Sequence, residues 1–267
     1  EAFPDVPIAA LSYHSSLLRS KLQKENTDSI DFVFHWNGNA DIFLAIIKLT
    51  EDRMNAEVDI NVVGVKAILL VEDSLKFYSR YIPLIYKVIL KQTQGLMSEG
   101  LNEHRKMMLM RGRPKILLAT TYEEGIGLFD TYKDNLLGVI SDVNYYKDGV
   151  RNKEAGFLFL DYVRNYKRYF PFLIQSSNAS NEKRALELKG KFLYKHSETL
   201  GVDIKNYIMK YFAFGDFEFW DPTQMKVLAT AKDLGEFQRA IKNVSEDCLM
   251  YHATRSEFSK WLKSRAL

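Results

Sequence analysis

Five near-continuous apolar runs mark the middle of the chain: Lys66–Val71, Ile116–Thr120, Leu137–Ser141, Phe172–Gln175 and Lys191–Tyr194. Runs of this length are expected of strands buried on both faces. Apolar residues at helical spacing fill the intervals. The pattern predicts helices from Ser74 to about Met110, with Gly95 and Gly100 as break points, and over about Tyr122–Tyr132, Gly156–Tyr166, Asn181–Leu188 and Thr199–Phe212. Strands alternating with helices indicate an α/β class built on a five-stranded parallel sheet covered by helices.

The N-terminal stretch repeats a fragment of this plan. Val6–Leu11 and Ile30–His35 read as strands, and Ala40–Met54 as an amphipathic helix with Ile42, Ala45, Ile46 and Leu49 inward. So small a unit cannot close a core alone. The chain is therefore expected to start inside a domain whose other part is missing or is replaced by another surface. After Phe214 the pattern changes again. Phe217–Trp220 and Met225–Ala229 predict a hairpin across Asp221-Pro222, followed by helices over about Leu234–Ile241 and Ser245–Ser264. The expected units are residues 1–58, 64–213 and 214–267.

Composition narrows the function classes. The 267 residues are 46% apolar and 27% charged, with a net charge of +3. That charge is too small to imply nucleic acid or an anionic membrane as partner. The single cysteine, Cys248, excludes an internal disulfide framework. The most apolar stretch, Tyr81–Leu90, is interrupted by Arg80, Lys87 and Lys91, whereas a bilayer span needs about 20 apolar residues. A cytoplasmic setting without membrane contact is expected.

Candidate chemistry collects at the strand ends. In open parallel sheets, ligands bind beyond the carboxyl ends of the strands. The first run ends in Glu72-Asp73-Ser74, the third in Ser141-Asp142, the fourth in Ser176-Ser177 and the fifth in Lys195-His196. Three carboxylates brought together repel one another unless a cation sits among them. Hard oxygen ligands suit Mg²⁺. A carboxylate beside that ion, a lysine and a hydroxyl can accept a phosphoryl group, because the cations neutralise the transferring oxygens.

The segments Val71-Glu72-Asp73-Ser74, Ile140-Ser141-Asp142-Val143, Pro171–Ser176 and Phe192-Leu193-Tyr194-Lys195 together resemble the receiver domain of two-component response regulators. The resemblance implies a doubly wound, flavodoxin-like sheet with Asp142 as phosphoacceptor. It implies Mg²⁺ ligation by Asp73, Asp142 and the Asn144 carbonyl, with Glu72 acting through water. Ser176 is then the switch hydroxyl, Lys195 the phosphoryl-binding cation and Phe192 the aromatic switch. The donor is expected to be a histidine kinase or a small phosphodonor such as acetyl phosphate, and a homodimer is allowed.

The chain departs from the family pattern in two places. Asn144–Gly149 lacks the usual proline, with Val150–Ala155 inserted behind it, and His196 follows Lys195 where proline is common. The N-terminal unit resembles the second half of another receiver. Ser12 stands for its hydroxyl, and His35 or Trp36 stands where the lysine belongs. The segments Phe34–Arg53, Ile68–Gln94 and Leu249–Leu262 are similar to the receiver-like N-terminal region of bacterial phosphoenolpyruvate synthase and pyruvate phosphate dikinase-like proteins. That likeness implies a downstream catalytic domain in the same polypeptide, so this segment is not expected to be an enzyme itself. The alternative to a phosphorylatable module is a pseudo-receiver used as scaffold or dimerisation platform. A flavodoxin-like small-molecule domain is disfavoured, since no glycine-rich loop follows the first strand.

Other features read as structural. Arg111-Gly112-Arg113-Pro114 is expected to be a surface turn. His14, His35, His104, His196 and His252 lack metal-ligand spacing. Met97, Met107, Met108 and Met110 are expected to pack the end of the long helix. The aromatic residues of Phe212–Trp220 are expected to pack the C-terminal extension onto the receiver.

Overall fold

The computed structural model describes residues 6–13, 30–98 and 112–265. A short parallel pair, β1 (Ala9–Ser12) and β2 (Phe32–His35), leads into α1 (Asp41–Ala56) and a π-helical turn over Glu57–Val62. The central body then runs β3 (Ala67–Val71), α2 (Leu75–Ser98), β4 (Lys115–Ala119), α3 (Tyr122–Tyr132), β5 (Leu136–Asp142), β6 (Tyr145–Lys147), β7 (Val150–Asn152), α4 (Ala155–Tyr166), β8 (Phe172–Ser176), α5 (Asn181–Glu187), β9 (Lys191–Tyr194) and α6 (Leu200–Tyr211). A third unit contains β10 (Phe217–Asp221), β11 (Lys226–Ala231), α7 (Leu234–Ile241), α8 (Glu246–Thr254) and α9 (Glu257–Lys263).

The main sheet has five strands in the order β4-β3-β5-β8-β9, all parallel. Numbered along the chain, that is the 2-1-3-4-5 order of the doubly wound fold. The strands alternate their burial between two layers, as a two-residue period requires. Ile68 and Leu70 face a core made with Tyr81, Ile82 and Ile85 of α2 and Ile204 and Ile208 of α6. Ala67, Leu69 and Val71 face a second core with Phe129 of α3, Phe157 and Phe159 of α4 and Ala185 of α5. Each fully buried aliphatic or aromatic side chain contributes about 1.5–3 kcal/mol, so the sheet is held from both sides.

Among the described residues, the N-terminal unit shares its core with the main sheet. Phe34, Ile42, Ala45 and Leu49 belong to the cluster that covers one face of the main sheet. Its strand pair repeats the hydrogen bonding of β8 and β9. In β8–β9, Ser176 pairs with Tyr194 and the Lys195 amide donates to the Ser176 carbonyl at 2.9 Å. In β1–β2, Ser12 pairs with His35 and the Trp36 amide donates to the Ser12 carbonyl at 2.8 Å. Trp36 thus stands in the register position of Lys195.

The C-terminal hairpin and helices enclose a small core of Phe217, Phe219, Phe237, Cys248 and Trp261. The aromatic run divides: Phe212 and Phe214 join the main core, while Phe217 and Phe219 stay in the third unit. The stretch expected as one helix over Ser245–Ser264 breaks at Ser256, whose φ of 56° ends α8 and starts α9. Arg113, expected on a surface turn, is buried by a salt bridge from its Nη2 to Asp52 at 2.8 Å. The expectations for His14, Gly100, His104, Met107, Met108, Met110 and Arg111 fall outside the described residues, as do the side-chain surroundings of Met97.

Candidate functional site

The strand order places the site. β3 and β5 are neighbours in the sheet, and their connections leave toward opposite faces, so a crevice opens at their carboxyl ends. Glu72 and Asp73 follow β3 directly, and Asp142 is the last residue of β5. One carboxylate oxygen from each of Glu72, Asp73 and Asp142 lies within 4.8 Å of the others. Lys195, just beyond β9, reaches across the crevice. Its ammonium donates to Glu72 Oε2 at 2.5 Å and lies 2.8 Å from Asp142 Oδ2. The Phe77 ring lies 4.3 Å from the same ammonium.

Burial sorts these groups. The side chains of Glu72 and Lys195 are 1% and 2% exposed, and that of Asp73 is 4%. Asp142 is 11% exposed. Among the three carboxylates it is therefore the one most open to an incoming reagent. Asp142 Oδ1 also accepts from the Val143 amide at 2.7 Å, which fixes the side chain at the end of its strand. Glu72 Oε1 accepts from the Ser74 amide at 3.1 Å. Burial pushes the Glu72 carboxyl well above the ordinary range; Lys195 opposes the rise and the Asp142 charge adds to it. The Tyr81 hydroxyl, buried without a hydrogen-bond partner among the described residues, is also pushed up, first by burial and then by Glu72 and Asp142.

Ser176 ends β8 next to the Asp142 strand, but its hydroxyl faces its own turn. It accepts from the Asn178 amide at 3.0 Å and from Asn181 Nδ2 at 2.9 Å. Phe192 is half-buried against the core on the α3–α4 face. The site therefore joins Glu72, Asp73, Asp142, Asn144 and Lys195, with Ser176 beside them and Phe192 in the core below.

The segment after Asp142 forms a β-hairpin, β6–β7, whose second strand lies in the expected insertion Val150–Ala155; it is closed by Asp148 and Gly149, both at positive φ (53° and 73°). An Asp-Gly pair at those angles is the favoured two-residue hairpin turn. Tyr145 anchors the hairpin root, fully buried. The hairpin carries Arg151 over the site. Its Nη1 lies 2.7 Å from Asp73 Oδ2, and its Nη2 donates to the Asn144 carbonyl at 3.1 Å. Sequence reading passed over Arg151; the Asp-Gly turn between Tyr-Tyr-Lys and Val-Arg-Asn was the available signal. Gly156, expected as the first residue of its helix, is the second residue of α4, and a Cβ there would lie 2.1 Å from the Asp142 carbonyl oxygen, so the first turn of α4 packs on the end of β5 only with glycine.

The donor set fits a hard divalent cation. Three carboxylates converge, the Asn144 carbonyl stands beside them, and Asn144 Oδ1 is a buried acceptor that the described residues leave unmatched. It is the one such acid group found among the described residues.

Comparisons with known proteins are sparse. No protein-family model matches the chain, and no curated protein matches it. Among solved structures, a response regulator receiver domain protein from Clostridium thermocellum is similar at 15% identity, over 55% of this chain and 93% of that one, with a TM-score of 0.34. The non-phosphorylated HemR receiver domain from Leptospira biflexa is similar at 22% identity, over 53% of this chain and 90% of that one, with a TM-score of 0.32. No helix among the described residues is long and apolar enough to cross a membrane.

Proposed function

We propose that residues 64–213 are a phosphoacceptor receiver module and that Asp142 takes the phosphoryl group. The observation that carries this reading is the Lys195 ammonium bridging Glu72 and Asp142, with Asp73 alongside, at the crevice of a 2-1-3-4-5 sheet. In this reading the Asp142 carboxylate attacks the phosphorus of an acyl phosphate or a phosphohistidine. The bond to the donor's oxygen or nitrogen breaks, and the leaving group departs with its electron pair. Lys195 holds the charge of the transferring oxygens. Asp73, Asp142 and the Asn144 carbonyl would hold a divalent ion, which when bound would supply the remaining charge neutralisation. Ser176 turns from Asn178 and Asn181 to a phosphoryl oxygen, and Phe192 follows in the core.

The sequence likeness to phosphoenolpyruvate synthase-like proteins suggests a catalytic domain of the same polypeptide as the element regulated. A second reading, a scaffold without phosphotransfer, is favoured by one contact: Arg151 on Asp73 and Asn144. Calorimetry with Mg²⁺ and beryllofluoride separates the two. Saturable binding that needs both components and disappears in Asp142→Asn is expected. Absence of binding, or binding that survives in Asp142→Asn, supports the scaffold.

A further inference from the structure

We infer that Arg151 is a built-in competitor for the divalent cation, a guanidinium latch that the ion must displace before Asp142 can react. The inference rests on the receiver reading above and concerns how that site is regulated. Two of the ligands proposed for the ion are already engaged by one side chain. Arg151 Nη1 and Nη2 approach Asp73 Oδ2 and Oδ1 at 2.7 and 3.5 Å, and Nη2 also donates to the Asn144 carbonyl at 3.1 Å. A small divalent ion takes such oxygens at about 2.0–2.1 Å. Each oxygen has a second lone pair, but a guanidinium kept on the same oxygens would hold its positive charge against the dication, so the two cations compete for the crevice.

The contacts explain why an arginine settles there. Of the three carboxyl groups, Lys195 holds Glu72 and Asp142. Asp73 takes its salt bridge from Arg151. A planar guanidinium can reach a carboxylate and a carbonyl at once, as a lysine ammonium cannot do with the same fixed geometry.

The latch is built to move at the side chain while its frame stays put. Tyr145 is buried at the hairpin root, Tyr146 bridges to Thr121, the residue that caps α3, and the Asp148 amide donates to Glu123 Oε1 at 2.9 Å. The Arg151 side chain itself is 42% exposed, so it can swing into solvent without opening the hairpin. Its ring neighbour Tyr146 lies opposite it in register, with the guanidinium carbon 5.7 Å from the ring centroid. Ion binding and arginine release are then one exchange, and the latch raises the ion concentration at which the module becomes competent.

The test is a calorimetric Mg²⁺ titration of the full chain and of Arg151→Ala, with Lys153→Ala as control. Lys153 is an exposed cation two residues further along the same segment. Arg151→Ala is expected to bind Mg²⁺ roughly tenfold more tightly, equivalent to about 1.4 kcal/mol, while Lys153→Ala stays at the affinity of the unaltered protein. In the unaltered protein, Mg²⁺ is also expected to shift the side-chain Nε–H resonance of Arg151. Equal affinity in Arg151→Ala and the unaltered protein overturns the latch and leaves the receiver reading standing. An equal gain in Lys153→Ala reduces the effect to general charge and overturns it too. Absence of Mg²⁺ binding in all three proteins removes both.

Discussion

The Asp52 cluster and the Glu72–Asp73–Asp142 cluster are both buried, and both join residues more than sixty positions apart. Their partners differ. Asp52, fully buried on α1, accepts from the Tyr86 hydroxyl at 2.7 Å and the Ile116 amide at 2.8 Å, and its other oxygen pairs with Arg113 at 2.8 Å. Its neighbours Glu51 and Asp59 pair with Lys48 and Arg113 and with Lys115. Three acids thus meet three bases, and the cluster fastens α1 to the edge strand β4. At the strand ends, Lys195 is shared between Glu72 and Asp142, and Arg151 reaches Asp73 from an exposed hairpin. The first cluster fixes geometry with buried partners, whereas the second holds one of its acids through a side chain that can leave for solvent.

Stability measurements can break this contrast, and the largest effects belong to Asp52 and Lys195. Asp52→Ala is expected to cost about 3 kcal/mol in urea unfolding, because it takes the acceptor from the buried Tyr86 hydroxyl and Ile116 amide and one of two carboxylates from Arg113. A loss under about 1 kcal/mol would place Asp52 among surface pairs and dissolve the distinction. Next comes Lys195→Met, expected to cost about 3 kcal/mol by leaving Glu72 and Asp142 facing each other. Adding Glu72→Gln to Lys195→Met is expected to restore part of that loss. Strict additivity of the two changes would mean that the lysine is not shared.

A smaller effect is expected at Gly156. Gly156→Ala is expected to cost about 2 kcal/mol, since the new methyl collides with the Asp142 carbonyl and the Val143 backbone. It should also weaken Mg²⁺ binding, whereas the silent outcome would show that Asp142 is not held by the start of α4. The charge-relieving change Asp142→Asn is expected to lie within about 1 kcal/mol of the unaltered protein, in contrast to Asp52→Ala.

Lys260 offers a third case, a base whose hydrogen bond runs to the Tyr169 carbonyl at 3.4 Å. Burial lowers its pKa to about 8; Glu257 opposes the shift, and Lys167 and Arg164 add to it. The unfolded chain then holds more protons than the folded one between about pH 8 and the ordinary lysine value near 10.5. Stability from this group therefore rises with pH across that window, and the full penalty applies below it. Lys260→Met should gain about 1 kcal/mol at pH 7 and flatten the slope above pH 8. A slope unchanged by the substitution would assign it to other groups.

Much of this architecture was legible from local pattern. The five main strands lie within two residues of the apolar runs, because strands covered on both faces must be apolar throughout. Glu72, Asp73, Asp142 and Lys195 could be grouped because strand ends in such a sheet converge whatever the loops do. Arg113 and Arg151 could not be placed in the same way. Their partners lie 61 and 78 residues away, and nothing in the local pattern distinguishes a basic side chain that folds inward from one that stays in solvent. The β1–β2 pair was recognised as half of a repeated unit, but its sharing of the main core depends on packing between α1 and α2 that no local period encodes.

The central claim is that Asp142 accepts a phosphoryl group. Intact-mass and peptide mass spectrometry after incubation with Mg²⁺ and acetyl phosphate test it most directly. A single phosphoryl mass on the peptide that contains Asp142, dependent on Mg²⁺ and absent in Asp142→Asn, is the expected result. An unmodified protein under the same conditions, or a phosphoryl group carried by another residue, would contradict it.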